Sequence, residues 1–436
     1  MTPAPPAGHV SRVSMARTAL VLLPMQAVLR GGEALLPLFL AAWFGRSAAT
    51  DLYYVLAAYF VFTAAILTGA FQDSAVVPVL IEVEAADPGA FPQVAGALLG
   101  HTMALGVVVA LALGTPAAAV AALTSSTPRL AVELVALMAL GTVAISVRAY
   151  YVGLLNARRA FTAHPVGSGL GMMLTFAILY ATKGRLGVLS IPLGTAAGEL
   201  LAIAVLAGIA RRGLGLRMKP TLARPEPVRR IFKLVRLEVT GSLITRINPV
   251  VDQLMAGLAR VVGGGTLVRY ATDVSSLPTS ILQATLFPVL LTRLAQEARE
   301  PDDFRRTLRR TLAVVVALLA AASAAMIALR RPLCTLLFLH GQMDPAGVAR
   351  IAAILPWALV GVAPFGALLV LARAHVALQN SRIMPSMGVL NAGLNAVLDA
   401  LLVGPFGLAG IALSTSITYL VVAVVFWVRL PRSTRA

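Results

Sequence analysis

Asn395 and Asp399 are four residues apart, so on a helix they stack on one face. Asp252 and Thr415 lie in two other apolar stretches of the same half of the chain. Carboxylate, amide and hydroxyl oxygens together suit a hard cation and not a soft metal. Two carboxylates with no facing Lys or Arg repel each other unless a cation or a proton joins them. The plainer reading is polar glue between helices, worth ~0.6 kcal/mol per bond. Arg30, Arg148 and Arg246 are candidates of the opposite kind, because a guanidinium fork matches phosphate oxygens. Arg30 also stands one helical turn from Glu33, so these two can neutralise each other. Asp73 beside Gln72 reads as a packing pair near a helix end. A charge inside a membrane span costs about 2.5–3.5 kcal/mol on insertion scales, which makes each of these groups a functional candidate.

The elements that must position them are membrane helices. The chain has 436 residues, of which 58% are hydrophobic and 12% charged. Soluble proteins carry about 25% charged residues, so soluble domains of this total size are excluded. Cys334 is the only cysteine, which excludes a disulfide scaffold. Disorder is excluded by the apolar content. Twelve apolar windows follow one another: 18–44, 53–80, 93–122, 130–155, 165–182, 188–210, 231–260, 267–292, 311–329, 348–372, 384–402 and 408–429. A helix needs roughly 20 residues to cross a ~30 Å hydrocarbon core, and each window is near or above that length. The first window holds Arg30 and Glu33 and is too long for a cleavable signal. The short alternating segments of an outer-membrane barrel are lacking.

Lys and Arg set the orientation. Loops after odd-numbered windows hold 6 of them, and loops after even-numbered windows hold 17. Even loops and both termini are therefore expected in the cytoplasm. The net charge of +18 is a topology signal and an attraction to anionic lipid, not a nucleic-acid footprint. The expected organisation is a cytoplasmic tail over 1–17, an N-lobe of six helices over 18–210, a basic cytoplasmic linker over 211–230, a C-lobe of six helices over 231–430 and a cytoplasmic tail over 431–436.

The halves match each other in order. Asn156-Ala157-Arg158 recurs as Asn380-Ser381-Arg382, and Gly187, Ile191, Leu193 and Thr195 as Gly407, Ile411, Leu413 and Thr415. An even repeat unit returns to its starting side, so the halves are parallel repeats about an axis along the membrane normal. The fold class is thus an all-α polytopic membrane protein with about twelve transmembrane helices in two six-helix lobes. Such lobes suit alternating access around a cavity.

The segment Gly69-Ala-Phe-Gln-Asp-Ser-Ala-Val-Val-Pro-Val-Leu80, with Ala49-Thr50-Asp51 upstream, resembles the second-helix signature of the MurJ/MviN lipid II flippases. Tyr270-Ala-Thr-Asp-Val-Ser-Ser-Leu-Pro278 with Leu286-Phe-Pro-Val-Leu290 is similar to their eighth helix. Leu371–Asn380 and Gly404–Leu413 resemble the end of the tenth helix and the turn into the twelfth. The resemblance implies a fold of the MATE/MurJ kind in the polysaccharide- and drug-exporter (MOP) superfamily, and transport of a lipid-linked glycan between leaflets. It also implies a sodium site, because some members bind this ion with residues matching Asp252, Asn395, Asp399 and Thr415 and a backbone carbonyl matching Ile411. Arg30 falls on a family position that meets pyrophosphate, and Arg148 and Arg246 are further phosphate candidates. Two departures stand out. Members commonly have fourteen helices where this chain ends after twelve windows, and their other cavity arginines align with Leu36, Ala64 and Asp273.

The expectation is a flippase in the bacterial inner (plasma) membrane, with no covalent reaction, no cofactor beyond a coupling Na+ or H+, and no nucleic-acid partner. Its partners are a lipid-linked glycan, membrane lipids and proteins of cell-envelope synthesis. Its cargo is a polyprenyl-pyrophosphate-linked saccharide such as a peptidoglycan precursor, with another polysaccharide unit or a non-transporting scaffold role as alternatives. A cationic-drug exporter would need acids and aromatics that the first lobe offers sparsely. A glycosyltransferase would need clustered acids in an external loop, where only Asp51 and Asp344 occur. His340 and His375 read as interfacial, and Gly263-Gly264-Gly265 as a turn with no preceding strand, not a phosphate loop.

Overall fold

The computed structural model describes residues 31–33, 35–72, 76–124, 127–233, 248–259, 261–286, 290, 293–294, 296–297, 300–378, 380 and 382–431. Among them there are helices and connecting turns and no strands. The candidates Arg30, Asp73 and Arg246 lie outside the described residues.

Seven helical stretches among the described residues are long and apolar enough to cross a membrane by length and composition. One of them, Ala163–Gly213, runs to 51 residues. It divides into α5 (Ala163–Leu186) and α6 (Ser190–Gly208) at Gly187, whose φ of +54° is open to glycine at no steric penalty. A Cβ on Gly194 would lie 2.8 Å from the Thr175 carbonyl, one on Gly198 would collide with the Gly171 carbonyl, and one on Gly167 would touch Ala202. The partners fall in number as the glycines rise, so α5 and α6 run antiparallel, backbone against backbone. Small residues make this approach, as is usual for helices packed in lipid. Many large apolar side chains face outward, among them Leu111, Tyr180, Ile281, Leu318 and Leu401. The chain is a multi-pass membrane protein of the expected all-helical class.

The described residues fall into two compact units. One takes those within Met1–Leu36 and Leu67–Val235, and the other those within Pro37–Ile66 and Arg236–Ala436. In the first unit, α3 (Phe91–Thr124) packs on α4 (Pro128–Ala157), and α4 packs on α6. α1 (Ala48–Gln72) passes from the second unit into the first, and α2 (Val76–Ala86) packs on α4.

The second unit is built from α7 (Asn248–Leu258), α8 (Gly264–Thr285), α9 (Pro301–Ala328), α10 (Arg330–Phe338), α11 (Pro345–Val360), α12 (Val362–Ala377), α13 (Ile383–Phe406) and α14 (Leu408–Arg429). α14 lies at its centre, against α11, α12 and α13. The turn between α13 and α14 is Gly407, with φ +56° and ψ −136°. Gly187 adopts φ +54° and ψ −134°, so the matched glycines of the two halves make the same turn. His375 corrects one expectation. It is fully buried, with Nε2 3.0 Å from the Phe426 carbonyl and Nδ1 accepting from Asn380. Its position on the face of α12 that meets α14, rather than its place near a helix end, decides its environment.

One end of the second unit is clasped by polar bonds. Asp51, in the first turn of α1, accepts from the Gly263 and Thr266 amides at 2.6 and 2.8 Å and from the Thr266 hydroxyl at 2.8 Å. Arg46 makes a two-pronged pair with Asp344 at 2.8 and 2.9 Å, and Asp344 also caps α11 through the Gly347 amide. The guanidinium beside it holds the Asp344 carboxyl below the usual carboxylate range.

Candidate functional site

The sequence places Asn395 and Asp399 on successive turns of α13, and the hairpin at Gly407 folds α14 back along them. Asp399 and Thr415 are each eight positions from that glycine, so the fold brings them level. α7 packs on α13 and supplies Asp252. The result is one hydrogen-bonded cluster within the second unit. Asn395 Nδ2 donates to Asp252 Oδ1 at 2.7 Å and to Asp399 Oδ2 at 3.1 Å. Thr415 Oγ1 lies 3.4 Å from Asp252 Oδ2 and 3.2 Å from the Ile411 carbonyl. Four predicted side chains and the predicted carbonyl therefore converge.

Sequence reasoning missed Ser414. Its hydroxyl bonds Asp399 Oδ1 and stands 2.8 Å from the Ile411 carbonyl. Each Asp399 oxygen thus has a neutral partner, Ser414 on one side and Asn395 on the other. The signal was available in the Gly407 hairpin, which sets residue 414 opposite residue 400 and beside Asp399.

The donor set fits a monovalent hard cation. Two carboxylates share a single amide nitrogen, and no Lys or Arg among the described residues pairs with either. Asn395 and Asp399 are fully buried, and the Asn395 carbonyl oxygen has no hydrogen-bond partner. A buried acceptor left without a donor is costly and calls for a positive ligand. Among the described residues no group of three or more His, Cys, Asp or Glu side chains converges, so a transition-metal site has no support there. Two carboxylates completed by neutral oxygens leave a charge deficit that one small cation reduces.

Arg148 stands in the first unit, on α4. Its Nε donates to Glu199 Oε2 of α6, and both side chains are mostly buried, at 19% and 17% exposure. The pair lies on the wall of a cavity of about 150 Å³ that also presents Glu33, His164 and Ser168. Ser168 is buried and its hydroxyl has no partner. Asp273 pairs with Arg269 one turn earlier on α8 at 3.0 Å.

A curated relative, the probable lipid II flippase MurJ of Buchnera aphidicola, is 25% identical over 191 residues, covering 43% of this chain and 37% of its own length. Alignments with curated relatives span 37% to 62% of those proteins, so the chain covers less than two thirds of their length. A solved lipid II flippase MurJ in an inward closed conformation superposes with a TM-score of 0.77 at 16% identity, over 93% of this chain and 87% of that one. An inward-facing multidrug resistance MATE family transporter of the MOP superfamily superposes with a TM-score of 0.72 at 14% identity, over 94% and 96%. At these identities the superpositions establish the fold, which is that of MurJ and the MATE transporters. The family model described as lipid II flippase MurJ matches residues 40–436, and on that match the chain belongs to the MurJ family.

Proposed function

We propose that the protein carries a polyprenyl-pyrophosphate-linked saccharide, a peptidoglycan precursor of the lipid II kind, from the inner to the outer leaflet of a bacterial plasma membrane. The match to the MurJ family over residues 40–436 carries this reading. Transport proceeds by alternating access and needs no covalent step. Arg30 and Arg246 are proposed contacts for the pyrophosphate. Arg148 is proposed as a third, its guanidinium anchored through Nε by Glu199 at the wall of a polar cavity. Asp252, Asn395, Asp399, Thr415 and the Ile411 carbonyl are proposed to hold a coupling cation, sodium in the first instance. A monovalent cation there would neutralise the two carboxylates and, in crossing 100 mV, supply about 2.3 kcal/mol. That is enough to bias two conformations and not enough to hold either fully. Asn395 ties α7 to α13 through the two acids, and Thr415 ties α14 to the same group, so these residues set the spacing of three helices.

The direct test is reconstitution in vesicles with fluorescent lipid II on one leaflet. The expected result is its appearance on the other leaflet, with an undecaprenyl-pyrophosphate carrying an unrelated sugar moved more slowly. Equal movement of both would point to another polysaccharide unit, and no movement of either to a scaffold role.

Topology has its own test. Val262, at the tip of the turn before α8, is exposed, whereas Gly264 beside it is buried. Arg224 is exposed in the basic segment of the first unit, and the native Cys334 is buried, so background labelling is small. Single Val262→Cys and Arg224→Cys variants are expected to react from opposite sides with an impermeant thiol reagent, Val262→Cys from outside. Reaction of both from outside would remove the cytoplasmic placement of the basic loops.

A further inference from the structure

A cavity of about 170 Å³ inside the second unit opens beside the acidic cluster, with Asp252, Ile411 and Thr415 on its wall. Its opposite wall is a stripe of α8. Thr272, Ser276 and Thr279 are spaced four and three apart, which puts them on one helix face. Each of these hydroxyls gives its one proton to its own helix, Thr272 to the Val268 carbonyl at 2.9 Å, Ser276 to that of Asp273 at 2.8 Å and Thr279 to that of Ser276 at 2.8 Å. With the proton committed, a hydroxyl offers only lone pairs to the space in front of it. Asn248 completes the lining. It is one turn before Asp252 on α7, only 5% exposed, and neither its amide nitrogen nor its oxygen has a hydrogen-bond partner. A buried amide with both ends unmatched is expensive unless something occupies the space it faces. Among the described residues, the one cationic side chain at this cavity, Arg269, is paired with Asp273 on its own helix.

We propose that this cavity is a second, outer position for the monovalent cation, in which the ion stays partly hydrated between the Asn248 amide oxygen and the α8 hydroxyls before it reaches Asp252. The proposal rests on the reading of the Asp252 cluster as a cation site. Asn248 and the hydroxyl stripe present acceptors on one face of the cavity and Asp252 adds negative charge at one end, so that face favours a cation over an anion. A partly hydrated ion also satisfies the amide nitrogen of Asn248, which can donate to the ion's water. Asn248 and the α8 hydroxyls act on the route to the inner cluster and are not themselves part of it. Their loss therefore changes how fast the ion arrives and leaves more than how tightly it is held.

The test follows binding of radiolabelled sodium ion to the purified full-length protein over time. Two variants keep volume while removing oxygen, Asn248→Leu and the double change Thr272→Val with Thr279→Val. Each is expected to slow association about tenfold, the size of one lost hydrogen-bond-scale interaction at the barrier. Dissociation is expected to slow in the same proportion, so that the equilibrium affinity moves less than about twofold, well inside that one-interaction scale. Thermal unfolding without sodium reports whether either variant has merely lost its fold, and the second variant stands if the first has. Wild-type association rates in folded variants would overturn the proposal, as would weakened affinity with unchanged association, which would make these groups inner ligands or structural supports. Absence of sodium binding in the wild type would instead overturn the cation reading of the Asp252 cluster itself, and this proposal with it.

Discussion

Replacing Asp399 with Asn is expected to abolish the extra thermal stability that sodium gives over potassium, and at the same time to raise stability in the absence of sodium. The two signs come from one arrangement. Asp252 and Asp399 share a single Asn395 nitrogen and have no basic partner among the described residues, so without a cation their charges oppose each other. Removing one charge relieves that repulsion and removes half of what attracts the ion. The Asn side chain keeps an oxygen for the Ser414 hydroxyl, so the hairpin between α13 and α14 keeps its bond. At a sodium concentration a hundred times the dissociation constant, the wild type gains about 2.7 kcal/mol, and the variant is expected to gain almost none of it. Differential scanning of the purified protein in sodium chloride against potassium chloride measures both effects. If sodium and potassium are equivalent for the wild type at every pH tried, while Asp399→Asn is simply less stable, the cluster is interhelical glue and the coupling role falls.

Local spacing made part of this site legible in the sequence, because Asn395 and Asp399 announce a shared face through a separation of four. Thr415 and the Ile411 carbonyl were marked by the family resemblance, and the hairpin at Gly407 supplies the physical reason that they lie level with Asp399. Asp252 was legible because an unpaired carboxylate in an apolar stretch demands a partner. Ser414 was not singled out, since a serine within an apolar helix commonly bonds its own backbone, and only the hairpin geometry sets it on Asp399. The α8 stripe was hidden for a similar reason. Thr272, Ser276 and Thr279 look like ordinary helix hydroxyls until the opposite wall of the cavity is known. His375 misled because closeness to a helix end says little about which neighbour covers a face. In the fold, the windows 93–122, 130–155, 165–182, 188–210, 311–329, 384–402 and 408–429 each fall on a described helix, whereas α10 lies outside every window and the division of 348–372 into α11 and α12 at Gly361 came from packing. A Cβ at Gly361 would collide with Ser416 of α14, whose hydroxyl bonds the Trp357 carbonyl at 2.6 Å, so the two helices meet α14 at their junction.

Arg148 and Glu199 carry the second large effect, and they are 51 positions apart with no spacing rule to connect them. Both side chains are less than a fifth exposed. Deleting one member of a fully buried pair leaves the other charge unmatched and destabilises by about 3–5 kcal/mol, which is the upper bound for this mostly buried pair at a cavity wall. Arg148→Ala is therefore expected to lower the unfolding temperature steeply, and Glu199→Ala to do the same. Replacing both, Arg148→Met with Glu199→Leu, removes both charges while filling the volume, and is expected to recover most of the stability. Transport separates the structural contribution from the proposed contact with pyrophosphate. Arg148→Lys keeps a positive charge for Glu199 but loses the planar fork, so it is expected to fold and to move lipid II more slowly. The stable double variant is expected to remain inactive, because its packing is restored and its phosphate-binding group is not. If the double variant moves lipid II at the wild-type rate, Arg148 serves only to neutralise Glu199, and the pyrophosphate contacts lie elsewhere. If Arg148→Ala unfolds no earlier than the wild type, the pair contributes nothing to the first unit, and the guanidinium is held there for the cargo alone.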